Sequence, residues 1–113
     1  MNEDVVDLTN LRLVTDGDPD LERELFDEFI TSSVDLVTEL EAHCAGENSN
    51  EDWRKSAHAL KGIAANLGAS HLAEISKQGQ EGAEKDLEWK VDLLGQIKQE
   101  REKVVAFLQA QSA

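Results

Sequence analysis

Residues 49–68, SNEDWRKSAHALKGIAANLG, contain the start signal, the apolar pattern and the stop signal of one helix. This stretch begins with Ser49, followed three residues later by Asp52, a spacing that resembles the capping box at the start of a helix. It ends at Gly68, which suits the left-handed conformation that terminates many helices. We predict a helix over Asn50–Leu67, because on a wheel of about 100° per residue the following apolar side chains fall within about 80° of one another: Trp53, Ala57, Leu60, Ala64 and Leu67.

Helical periodicity also covers the sequence before this stretch. A short helix is predicted from about Asp7 to Thr15. Its apolar positions are Leu8, Leu11 and Val14. A long helix is predicted from about Pro19 to Ala45, with Asp18 as its N-cap and Pro19 in the first position, where no N–H donor is needed.

The sequence after residue 68 predicts two more helices. Ser70 is expected to cap a fourth helix, which weakens at Gly79 and Gly82, and Asp86 is expected to cap a long last helix. No segment long enough for a strand alternates between apolar and polar residues with a period of two. Long helices with short connections pack as antiparallel neighbours. We therefore predict an all-α fold, an antiparallel four-helix bundle with a short additional N-terminal helix, as a single domain over residues 1–113.

Composition excludes several classes of function. The chain has 113 residues and a formal net charge of −13, so nucleic acid and anionic membranes are poor partners. Cys44 is the single cysteine, which excludes an internal disulfide and fits a reducing compartment. No apolar run reaches the roughly 20 residues of a membrane span, and the acidic N-terminus lacks a signal-peptide pattern. We expect a cytoplasmic, monomeric protein.

The predicted third helix carries the chemistry. His58 lies about 140° from the centre of the apolar stripe and must face solvent or a partner. A neutral imidazole nitrogen is a competent nucleophile near pH 7. Arg54, Lys55 and Lys61 surround His58 with positive charge on an otherwise acidic chain, as a phosphoryl group with close to two negative charges would require. An ordinary solvated helix face explains Lys55 better, and it explains Lys61 equally well.

Gly62 lies one turn after His58, inside the predicted helix. Glycine there costs about 1 kcal/mol relative to alanine, so its presence needs a reason. Tight helix packing is one reason, and close approach of a second protein to the imidazole is another. Because the wheel places Gly62 opposite the apolar stripe, access is favoured over packing.

Residues 56–68, SAHALKGIAANLG, resemble the signature of histidine phosphotransfer (HPt) domains of two-component phosphorelays. The core of the motif is His-x-Leu-Lys-Gly, here residues 58–62, followed by small residues and a second glycine, Gly68. Leu72 matches the apolar position that usually follows. The predicted bundle extends the resemblance to nearly the whole chain.

The resemblance implies a phosphorelay intermediate. His58 would accept a phosphoryl group from a receiver-domain aspartate and pass it to another response-regulator receiver, with a hybrid sensor histidine kinase as a further partner. Lys61 would neutralise the phosphate, Gly62 would keep the approach open, and Gly68 would end the helix. The receiver would supply the acidic pocket and Mg²⁺, so no metal or cofactor is expected on this chain. The partner-binding residues would be Arg54, Lys55, Lys61, Gly62, Ala65 and Asn66.

Two other functions remain open from the sequence. The first is a helical adaptor that binds a receiver through the same face without being phosphorylated. The second is a histidine-kinase substrate domain, phosphorylated by a separate kinase domain. The chain has no glycine-rich phosphate loop, so ATP binding by this chain is unsupported and little turnover is expected from it alone. His71 lacks the motif around it and is not expected to be a second phosphorylation site.

Overall fold

Five helices make up the fold in a computed structural model that describes residues 5–111. They are α1 (Thr9–Thr15), α2 (Pro19–Cys44), α3 (Asn50–Leu67), α4 (Ser70–Glu81) and α5 (Leu87–Gln111). The last four form an antiparallel bundle in which α3 packs against α2 and α4 and lies diagonally opposite α5. The short α1 packs against α2 and α3. The predicted fold class is confirmed.

Both ends of α3 follow the predicted capping chemistry. The Ser49 hydroxyl oxygen accepts the Asp52 backbone N–H at 3.1 Å, and the Asp52 carboxylate accepts the Ser49 backbone N–H at 3.1 Å. These hydrogen bonds lower the pKa of Asp52, because they stabilise its ionised form. At the other end Gly68 has a φ of 97°, in the left-handed region. The boundaries of α3 are therefore fixed by its own sequence.

The cap predicted for α4 is wrong. The N-cap is Ala69, with no side-chain hydrogen bond, and Ser70 is already the first helical residue. The Ala69 N–H donates to the Ala64 carbonyl at 2.8 Å, because Gly68 turns the chain back on the end of α3. Because only Gly68 and Ala69 connect the two helices, α4 has no N-cap residue with a hydrogen-bonding side chain, and it begins directly beside the end of α3.

Smaller differences occur in the first two helices. α1 begins at Thr9, two residues later than predicted, and the Asp7 carboxylate accepts the Thr9 N–H at 3.0 Å. Val14, predicted on the apolar side of α1, is exposed. α2 ends at Cys44, with Ala45 as its C-cap.

Gly79 does not weaken α4, which continues to Glu81. A Cβ at Gly79 would lie 2.9 Å from the Leu93 side chain, so the glycine allows α4 and α5 to approach each other. Its carbonyl also accepts the indole N–H of the buried Trp53 at 2.8 Å. The predicted cap of α5 is confirmed, since the Asp86 carboxylate accepts the Trp89 N–H at 3.0 Å.

The mostly apolar core contains a buried lysine, Lys90 of α5. The ammonium of Lys90 donates to the Asn50 side-chain oxygen at 2.8 Å and lies 2.9 Å from His43 Nε2. It also lies over the ring of Trp53. Burial lowers the pKa of Lys90, because the charged form loses hydration. This network joins α2, α3 and α5 at one end of the bundle.

Candidate functional site

The packing of α3 fixes the position of His58. Trp53, Ala57, Leu60 and Ala64 are completely buried on the face of α3 that points to the core, whereas His58 is exposed. Rotating α3 to bury the imidazole would expose this apolar stripe to water. The bundle therefore holds His58 at its surface, as the helical wheel predicts.

A glutamine of the neighbouring helix contacts the imidazole. Gln80 of α4 places its side-chain oxygen 3.3 Å from His58 Nδ1. The tautomer with a proton on Nδ1 can donate a hydrogen bond to this oxygen, and in that tautomer Nε2 keeps its lone pair. The sequence alone does not indicate Gln80, because the contact joins residues 22 positions apart and depends on how α4 packs against α3.

The surface beside His58 is open. Apart from its chain neighbours and the nearby backbone of α3, no atom lies within 4 Å of the position that a Cβ would occupy at Gly62, in contrast to the crowded Gly79. Ala65, one turn further along α3, is exposed. A shallow depression of about 330 Å³ continues from here between α3 and α4. We call it the α3–α4 depression, and its lining residues are Lys61, Gly62, Ala65, Ser70, Ala73, Glu74 and Lys77.

The three cations predicted around His58 differ in their surroundings. Arg54 forms ion pairs with Glu51 and, at 3.6 Å, with Glu84, so its charge is partly neutralised within the chain. Lys55 is exposed and Lys61 is half-buried. Neither lysine forms an ion pair with a carboxylate in residues 5–111.

The other side of α3 borders an apolar cleft. Asn66, one of the predicted partner-binding residues, is exposed at its edge. The cleft has a volume of about 160 Å³ and lies between α1, α2 and α3. Its lining residues are Leu11, Leu25, Glu28, Phe29, Ser32, Ile63, Asn66 and Leu67.

Gly68 and Leu72 lie at the connection between α3 and α4 and contribute to the packing of these two helices. The Gly68 carbonyl accepts the Asp7 N–H at 2.9 Å, and a Cβ at Gly68 would overlap the Asp7 carbonyl oxygen. Leu72 is completely buried. Both residues fix the connection between α3 and α4, and through it the position of Gln80 relative to His58.

The second surface histidine lies in a different environment. His71 Nδ1 is 3.2 Å from the buried carboxylate of Glu100, a contact that joins α4 to α5. Within residues 5–111, no three His, Cys, Asp or Glu side chains are placed to hold a metal ion together. In the same part of the chain, no helix is long and apolar enough to cross a membrane.

An exposed histidine beside an open helical surface is the arrangement expected of a phosphotransfer module. Residues 24–107 match the family model of the Hpt domain, and the chain belongs to this family. Its fold is similar to the crystal structure of histidine-containing phosphotransfer protein B (HptB) from Pseudomonas aeruginosa PAO1. The TM-score is 0.85, with 26% sequence identity over 98% of this chain and 96% of that chain. Comparison with curated protein sequences gives no significant match.

Proposed function

We propose that this chain is a phosphorelay intermediate in which His58 accepts a phosphoryl group from a receiver-domain aspartate and passes it to another receiver. The observation that carries the proposal is the exposed His58 imidazole, whose Nδ1 lies 3.3 Å from the side-chain oxygen of Gln80. Membership of the Hpt family supports the same function.

The transfer can be written without a base on this chain. Nε2 of neutral His58 attacks the phosphorus of the aspartyl phosphate, the N–P bond forms, and the P–O bond to the aspartate breaks. The aspartate leaves as a carboxylate, and the imidazole, which still carries its Nδ1 proton, becomes cationic. The Gln80 oxygen, 3.3 Å from Nδ1, stabilises that positive charge by accepting a charge-assisted hydrogen bond.

Lys61 and Gly62 contribute to the same step in different ways. The Lys61 ammonium, one turn after His58, can approach the phosphoryl oxygens and offset their negative charge. Gly62 presents backbone without a side chain, which permits the receiver to come close. We expect Mg²⁺ to be held by the receiver, where it would screen the phosphoryl oxygens, and we expect no metal or cofactor on this chain.

The test is phosphorylation by a set of phosphorylated receivers, followed by intact-mass measurement. We expect a gain of one acid-labile phosphoryl group in the wild type and in His71→Gln, and no gain in His58→Gln. Lys61→Ala should slow transfer while thermal unfolding stays near that of the wild type, because Lys61 contributes nothing to the core. A phosphoryl group on His58→Gln would refute the assignment of the site.

The same experiment separates the alternatives. Binding of receivers without any mass gain would indicate an adaptor. Phosphorylation only by a histidine-kinase catalytic domain and ATP would indicate a kinase substrate domain. We further propose a monomeric protein in the cytoplasm, with a hybrid sensor histidine kinase as donor and neither nucleic acid nor membrane as a partner. The single cysteine and the net charge of −13 support these expectations.

A further inference from the structure

Lys77 of α4 lies beside the site, although the chemistry at His58 does not use it. It precedes Gln80 by three residues, which is close to one helical turn, and Gln80 contacts His58. Lys77 and Lys61 come from different helices and line the same α3–α4 depression. The packing of α4 against α3 therefore places a second cation in the depression that Lys61 and Gly62 line.

Most cations of this chain are already neutralised or buried. Five lie within 4 Å of a carboxylate, namely Arg12, Arg23, Arg54, Lys98 and Lys103. Lys90 and Arg101 donate hydrogen bonds to neighbouring oxygens, and Lys85 lies over the Trp89 ring. The cations without any such partner in residues 5–111 are Lys55, Lys61 and Lys77, and the last two share one depression.

The charge of the depression remains available to a partner. Glu74 also lines it, but no oxygen of Glu74 lies within 4 Å of either ammonium nitrogen. On a chain with a net charge of −13, two lysines without an ion pair in residues 5–111 share one depression and form a local exception to the acidic surface. Such a pair attracts carboxylates of an approaching protein.

We propose that Lys77, together with Lys61, binds carboxylates at the rim of the receiver's phosphorylation pocket and so sets the affinity for the receiver. This inference rests on the proposed function, because an aspartyl phosphate with Mg²⁺ requires a pocket of carboxylates to hold the metal. Lys77 is a docking residue in this scheme. Lys61 contributes to docking and also to neutralising the phosphoryl group.

A role of Lys77 in receiver binding and a role in the transfer step predict different kinetic effects of its substitution. A charge at the rim of an interface changes the association rate and its salt dependence. Because an exposed ion pair contributes little energy, we expect Lys77→Ala to weaken receiver binding by about threefold at low salt. Lys77→Glu should weaken it by about tenfold, since attraction becomes repulsion. The transfer rate at saturating receiver should stay unchanged in both variants.

The experiment measures transfer to His58 against receiver concentration, at low salt and at about 0.5 M salt, where the Debye length is only about 4 Å. Lys103→Ala is the matched control, because it removes one exposed lysine from α5, diagonally opposite α3. We expect Lys77→Ala to raise the half-saturating receiver concentration at low salt only, with normal thermal unfolding, and Lys103→Ala to leave it unchanged.

Three results would overturn the inference. If Lys77→Ala and Lys103→Ala behave alike at low salt, Lys77 does not dock the receiver. If Lys77→Ala lowers the rate at saturation as Lys61→Ala does, it acts on the phosphoryl group instead. Both results leave the proposed function intact, because wild-type His58 is still phosphorylated. Absence of transfer to the wild type from every receiver would overturn both proposals.

Discussion

Replacement of Gly62 separates access from packing as the reason for a glycine inside α3. A Cβ at this position meets no atom within 4 Å beyond the adjacent backbone of α3, and Gly62 does not have a positive φ. Gly62→Ala should therefore stabilise the protein by up to about 1 kcal/mol, the difference in helix propensity. For a domain of this size that gain raises Tm by about 4 °C.

Gly62→Gln should also raise Tm, by a smaller amount, because glutamine is a better helix former than glycine. Its side chain would occupy the surface one turn from His58, so we expect transfer from a receiver to slow by about tenfold or more. The variant would then be more stable and less active than the wild type.

Gly95 provides the matched control. It lies inside α5, and a Cβ there also meets no atom within 4 Å. Gly95→Ala and Gly95→Gln should raise Tm like the Gly62 variants and leave transfer unchanged. The assays are thermal unfolding by circular dichroism and quenched-flow phosphotransfer. A fall in Tm for Gly62→Ala, or undiminished transfer for Gly62→Gln, would refute the reasoning.

Other predictions concern the surroundings of the site and the caps of its helix. Gln80→Ala should shift the proton of His58 away from Nδ1, visible in the imidazole ¹⁵N chemical shifts, and should slow transfer without lowering Tm; unchanged shifts would contradict the hydrogen bond. The pKa of Asp52 is lower in the folded protein than in the unfolded chain, where it is near 3.8. The Asp52 carboxylate therefore stabilises the fold at pH values above 3.8, and this contribution is lost as the pH falls through the pKa of the folded protein. The Tm difference between wild type and Asp52→Ala should therefore narrow below pH 3.8, and a constant difference would argue against the capping box. Gly68→Ala should destabilise by more than about 1 kcal/mol in urea unfolding, because φ is positive and the Cβ overlaps Asp7; wild-type stability would disprove this.

Local chemistry explains why α3 could be predicted in full. Ser49 and Asp52 form the capping box within four residues, and Gly68 ends the helix through its own backbone conformation. The outward position of His58 follows from the apolar stripe on the same helix. Each of these features depends only on residues that are close together in the sequence.

Features that join two helices could not be predicted in the same way. Gln80 and Lys77 reach the site because α4 packs against α3 in one register, and no spacing within either helix indicates that register. The wheel places Arg54 near His58, but it does not reveal the carboxylate of Glu84 that binds the guanidinium. From the sequence, Gly79 indicated a weak point in α4. Its actual role depends on the close approach of Leu93 from α5, which the sequence of α4 does not reveal.

The hydrogen bond from Trp53 to the Gly79 carbonyl links the interior of the protein to its reactive surface. Gly79 immediately precedes Gln80. The Trp53 indole therefore holds α4 at the position along the helix where the Gln80 side chain contacts the His58 imidazole. The packing of Trp53 in the interior therefore affects the geometry of the contact between Gln80 and His58 at the surface. Trp53 is buried and cannot contact a partner, yet its substitution would disturb phosphotransfer at His58. A second substitution in α4 could compensate for that defect.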